Sequence, residues 1–125
     1  MVYAQLKNEA GNFVSPSASA FQAAAAGADW NKAPGFYLLL TNQPGKDSWP
    51  IAGATFILLH KVQHKPATAK QVIQFFDWAY HNGDKLAESL DYVPMPDKVV
   101  KLIENAWRTE VKGADGKAVW RGSGS

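Results

Sequence analysis

A chain of 125 residues suffices for one domain with a core of its own and falls short of two ordinary ones. Apolar residues make up 46% of it, with five Trp, four Tyr and six Phe, which excludes a disordered chain because there is ample surface to bury against the entropy of folding. A net charge of +2 with interleaved signs gives no footprint for nucleic acid and no polybasic run for anionic lipid, and the lack of Cys excludes a disulfide framework, a thiolate nucleophile and cysteine zinc sites.

The first element expected is a β-hairpin over Tyr3 to Val14, turning on Gly11 or Asn12. Ser15-Pro16 then reads as an N-cap followed by a proline at the first helical position, opening a helix through Phe21 and the Ala23 to Ala26 block to about Gly27. Asn31 to Gly35 is a loop by composition, and Phe36 to Leu40 is either a short strand or a helical turn. Asn42 to Asp47 is a turn, since Pro44 fixes φ and Gly45 permits positive φ.

Thr55 to Val62 is the strongest expected strand, apolar on both faces from Phe56 to Leu59 as a covered central strand would be. Thr68 to Asn82 is the strongest expected helix, with Val72, Phe75, Phe76, Ala79 and Tyr80 as its buried stripe and Gly83 as its C-cap. Asp84 to Leu90 adds a helical turn or two. After Pro94-Met95-Pro96, Asp97 caps a last helix to about Val111, with Val100, Ile103, Ala106, Trp107 and Val111 inward. Asp97–Lys101 and Glu104–Arg108 read as outward pairs one turn apart. Lys112 to Trp120 holds the Asp115-Gly116 turn and ends as a short extended tail, while residues 121–125 read as a linker or tag remnant. The sum is an α/β chain of helices packed on a small mixed sheet.

No apolar run has the length of a membrane span; the longest, Ala54 to Leu59, is strand-sized. Val2-Tyr3-Ala4-Gln5 carries neither a charged n-region nor an apolar h-region, so no signal peptide is read in this chain and any export signal is expected outside it.

Chemistry-bearing motifs are few. His60 and His64 are four apart, but on a strand leading into a loop, and no carboxylate is near in sequence; they read as a surface pair beside Lys61 and Lys65 rather than a metal site. Trp49, Trp78 and Trp107 read as core packing, which leaves Trp30 and Trp120 open as a sugar-stacking pair. Asp77 is the one carboxylate in a strongly apolar run, either facing solvent or holding a loop backbone. No triad order, paired-carboxylate spacing, Walker loop or dinucleotide glycine motif is present, and the expectation is no enzyme, no cofactor and no metal.

One set of motifs is specific when taken in order. Leu40-Thr41-Asn42-Gln43 with Gly45 is followed by Trp49-Pro50-Ile51 and Thr55-Phe56-Ile57-Leu58. Phe75-Phe76-Asp77-Trp78-Ala79-Tyr80, Leu90-Asp91-Tyr92 with Pro96, and Val99-Val100 with Trp107 complete the series. Together they resemble the C-terminal part of the phosphate-specific substrate-binding proteins of ABC transporters, over residues 1–120. The resemblance implies part of a class II periplasmic-binding-protein fold and a parent protein that is periplasmic or otherwise exported. It also implies inorganic phosphate and an ABC transporter permease as that parent's partners.

In the family, the anion is held by an Asp, an Arg and a Ser-Gly-Thr loop from the N-terminal portion. The expectation is therefore that no phosphate ligand is identifiable in this chain, which would complete its site with the missing N-terminal part of the same protein. Arg121-Gly122-Ser123-Gly124-Ser125 has only a superficial likeness to the anion loop, because no helix follows it. The unpaired edge of the Phe56 to Leu59 strand makes a homodimer expected of the chain alone. A structural or protein-interaction module without a small ligand is the alternative, and a carbohydrate-binding domain using Trp30 and Trp120 a third reading.

Overall fold

The computed structural model describes residues 2–122, which group into two compact units that divide between Phe56 and Ile57. Among the described residues there are four α-helices and two two-stranded sheets, one antiparallel and one parallel, so the α/β class holds. The Ser123 to Ser125 part of the expected linker lies outside the described residues.

The first unit begins with the expected hairpin, shorter than its sequence suggests. Strands β1 (Leu6–Lys7) and β2 (Phe13–Val14) pair antiparallel, Leu6 opposite Val14 and Lys7 opposite Phe13. Gly11 takes φ 84° in the turn, a conformation that costs glycine least. The turn is anchored from within: Asn8 is buried, and its amide nitrogen lies within hydrogen-bond distance of the carbonyls of Gly45 (3.1 Å), Lys46 (2.9 Å) and Ser48 (3.2 Å). Its Oδ1 accepts from the Asn12 amide at 3.0 Å. One side chain thus satisfies carbonyls of the turn 45–48, groups that would be costly to leave unpaired.

Helix α1 spans Ala18–Gly27. Its cap is Ser17, whose hydroxyl accepts from the Ala20 amide at 3.2 Å, so the cap falls two residues after the expected one at Ser15. Ser17 has the extended backbone that an N-cap requires, with its oxygen aimed at the third helical amide. Ala20, Ala24 and Ala25 form the buried face, small enough for close approach of the chain around Trp49. The Trp49 amide donates to the Ala20 carbonyl at 3.0 Å, and its ring meets Phe21 edge-on at 6.0 Å. At the helix end, a β-carbon on Gly27 would stand 2.6 Å from the Pro44 carbonyl oxygen, so the approach admits glycine alone without a backbone shift. Residues 30–36 form two 3-10 turns, and Phe36 to Leu40 is mainly irregular until Thr41 bridges Ile51.

The expected central strand does not form. Ala54 to His60 carries no strand assignment; Phe56 and Ile57 are exposed and Leu58 is 92% exposed. A strand is defined by its ladder, and an apolar one covered on both faces needs a neighbour on each edge. Only β3 (Val62–Gln63) finds one, pairing parallel with β4 (Lys112–Gly113) in the second unit.

Helix α2 spans Pro66–Asn82, α3 Asp84–Ser89 and α4 Asp97–Glu110. Asp97 is the first helical residue rather than the cap, which falls on Pro96. Gly83 closes α2 in right-handed geometry and leads directly into α3. The core of this unit is Ala69, Ile73, Trp107, Val111, Val119 and Trp120, flanked by Leu59, Phe76, Tyr80 and Ile103. The buried face of α2 is therefore Ala69, Ile73, Phe76, Asp77 and Tyr80, rotated from the expected stripe, and Phe75 and Trp78 stand more than half exposed. Trp120, expected in a peripheral tail, is 2% exposed and packs edge-on to Trp107 at 5.8 Å and 86°. The reason is the hairpin-like return at Asp115-Gly116: Val119 donates to the Val111 carbonyl at 3.1 Å, and the chain folds back over α4.

Candidate functional site

The polar cluster with most chemistry is at the C-terminal end of α2. Asp77 and His81 are one turn apart, so the helix places both side chains on the same side, and α4 brings Glu104 against them. Asp77 is buried and the Glu104 side chain is only 18% exposed, whereas the His81 ring is half exposed. His81 Nδ1 lies 2.8 Å from the Asp77 carbonyl oxygen and 3.8 Å from Asp77 Oδ1. Its Nε2 lies 3.4 Å from Glu104 Oε1. Glu104 was expected to pair outward with Arg108; it turns inward to His81 because the helix faces meet there.

The His81 imidazole is held above its usual range, first by the hydrogen bond to the Asp77 backbone, opposed by desolvation, and then by the charges of Glu104, Asp77 and Asp97. One ligand atom from each residue lies within 4.8 Å of the others, a spacing that also invites a metal. The ring geometry favours a proton instead. A carbonyl can only accept, so Nδ1 carries a hydrogen, and Asp77 Oδ1 flanks that nitrogen while Glu104 flanks the other. A metal on Nε2 would have Glu104 as its close carboxylate and Asp77 on the far side of the ring.

The other sequence candidates fall elsewhere. His60 and His64 are exposed on either side of β3 and take no part in this cluster. Trp30 is 6% exposed, with its indole Nε1–H donating to the Ala25 carbonyl at 2.7 Å, and Trp120 is buried, so neither presents a face to a sugar. That removes the basis of the carbohydrate reading. Asp77 does not face solvent. His81 itself was missed by sequence reasoning; the signal available was its spacing of four from Asp77, and nothing in the sequence tied either residue to Glu104.

The helix N-termini are poorly suited to an anion. That of α1 is capped by Ser17, α2 starts with Pro66, which has no N–H, and α3 and α4 carry Asp84 and Asp97 in their first turns. Both arginines, Arg108 and Arg121, are exposed.

No protein-family model matches the chain. Among characterised proteins it is 50% identical over 121 residues to the phosphate-binding protein PstS of Pasteurella multocida, covering 97% of this chain and 35% of that protein. It is 47% identical to the PstS of Haemophilus influenzae over 112 residues, which is 90% of the chain and 34% of the relative. The PstS of Xylella fastidiosa is 46% identical over the same share of the chain and 31% of its own length. The chain thus spans about a third of the length of these relatives. The motif series and the α/β architecture agree with that relationship: by sequence, the chain is a relative of the C-terminal part of the phosphate-binding protein PstS.

Proposed function

We propose that the chain is the C-terminal portion of a phosphate-binding receptor that serves an ABC phosphate importer, and that its role there is scaffold rather than anion contact. The observation that carries this is 50% identity sustained over 97% of the chain to a phosphate-binding protein. On this reading the parent is exported, docks on the importer's permease and performs no catalysis. The anion ligands are supplied by the rest of the protein. Capped, proline-started or acidic helix N-termini support that division, because an anion site needs free N–H groups at the positive end of a helix. The exposed apolar side chains Phe56, Ile57 and Leu58 support it too, as surface that a longer chain would cover. Isolated, the same surface favours a two-fold dimer, which sedimentation at tens of micromolar would reveal or exclude.

Isothermal titration with inorganic phosphate tests the proposal in two arms. The chain alone should give no binding heat, and the chain joined to the remaining portion of its reading frame should bind at micromolar concentration or tighter. Binding by the chain alone would overturn the placement of the ligands. Failure of the joined protein to bind would overturn the receptor reading itself.

A further inference from the structure

We propose that His81 is a pH-operated clasp between α2 and α4: as an imidazolium it ties Asp77 of its own helix to Glu104 of the neighbouring one, and on losing a proton it lets that tie go. Nδ1 lies 2.8 Å from the Asp77 carbonyl oxygen, which has no hydrogen to give, so Nδ1 is protonated in either charge state. The proton that comes and goes is therefore on Nε2, the nitrogen 3.4 Å from Glu104 Oε1. With that proton, two ring N–H groups face two helices and the charge is shared between two carboxylates. Without it, a nitrogen lone pair faces a carboxylate oxygen. That oxygen is buried and accepts no hydrogen bond among the described residues, so the imidazolium is the group placed to compensate it.

The charges facing the ring all push one way. From α2 the facing charge is Asp77; from α4 it is Glu104, with Asp97 acting from further off. Lys98, Lys101 and Arg108 of α4 and Asp84, Lys85 and Glu88 of α3 are exposed and form no ion pair with His81. Carbonyl contact and three carboxylates outweigh desolvation and raise the His81 titration above that of a free imidazole. A group whose titration is raised on folding stabilises the fold fully below its unfolded value, about 6.5 for histidine, and that stabilisation is lost as pH rises through the folded value. The packing of α4 on α2 is thus tighter in mildly acidic solution than in alkaline solution. The ring is half exposed, which sets the size of the effect at up to about fivefold in the unfolding equilibrium constant, the range of solvent-screened ion pairs. None of this depends on the phosphate reading.

The test is an NMR titration of the His81 ring in the intact chain, with urea unfolding of wild type, His81→Gln and His81→Lys from pH 5.5 to 8.5. His81 should titrate above a free imidazole, and Glu104→Gln should lower that midpoint. Wild type should exceed His81→Gln in stability at pH 5.5 and lose the advantage by pH 8.5, while His81→Lys, charged throughout, should show no such loss. A His81 midpoint at the free value, or a pH-independent gap between wild type and His81→Gln, would overturn the clasp. The ring titration decides the matter even where a variant folds poorly.

Discussion

Replacing Trp120 by Ala puts the folding-back of the C-terminal segment to a direct test. The indole is 2% exposed and meets Trp107 edge-on at 5.8 Å, inside the cluster formed by Ile73, Val111 and Val119. Truncating a buried Trp to Ala costs about 3–5 kcal/mol through lost transfer energy and the cavity left behind. One term works in the opposite direction. Trp120 Nε1 is buried without a hydrogen-bond partner among the described residues, and the desolvation of such a donor costs about 1–3 kcal/mol, which truncation relieves. The net expectation is a loss of about 2 kcal/mol, a sizeable share of a total stability on the order of 5–15 kcal/mol.

Urea unfolding followed by far-UV ellipticity reads this directly, since α2 and α4 hold most of the helix in that unit. Trp120→Phe should lose much less than Trp120→Ala, because it keeps a ring against Trp107 and removes the unpartnered N–H. Phe75→Ala, at a side chain 60% exposed, should shift stability by under about 1 kcal/mol. Were Trp120→Ala to prove as mild as Phe75→Ala, the segment after β4 would not be part of the core, and the assignment of the buried face of α2 would fail with it.

Two further expectations concern the first unit. Asn8→Asp sets a carboxylate oxygen in place of an amide that now serves three carbonyls, losing about 1 kcal/mol per hydrogen bond and burying a charge besides. A loss above about 3 kcal/mol at pH 7 in chemical unfolding is expected, and a variant as stable as wild type would show that Asn8 does not anchor the turn. Gly27→Ala forces a methyl to within 2.6 Å of the Pro44 carbonyl, so it should destabilise by about 1–3 kcal/mol despite alanine's better helix propensity. A raised melting temperature would mean that α1 and the 44–48 turn stand further apart than the structure places them.

Local signals were legible wherever a short stretch of chain closes its own hydrogen bonds. The hairpin around Gly11, the end of α1 at Gly27, the break between α2 and α3 at Gly83, and α4 with Val100, Ile103, Trp107 and Val111 inward all follow from spacing and capping chemistry. Phase was harder. Helix α2 is apolar on more than one side, so Phe75 and Trp78 compete with Ile73 and Phe76 for the core, and a stripe drawn through Phe75 is as good a 3.6-residue pattern as the true one. The decision came from α4, whose Trp107 and Glu104 accept Tyr80 and His81 respectively.

The family relationship was legible for a different reason: it resides in an ordered series of short motifs, which survives whether or not each residue's environment is understood. By itself the sequence determined the α/β class, the positions of the helices and the kinship with phosphate-binding proteins, because these depend on local spacing and on residue order. Only the tertiary structure decided what depends on residues far apart in the chain. Ala54 to His60 stayed without a ladder because strand formation requires partners that periodicity cannot supply. Trp120 entered the core because the turn at Asp115-Gly116 returns it to Trp107. Asp77, His81 and Glu104 became one charged cluster because packing brought together two helices whose sequences give no sign of each other.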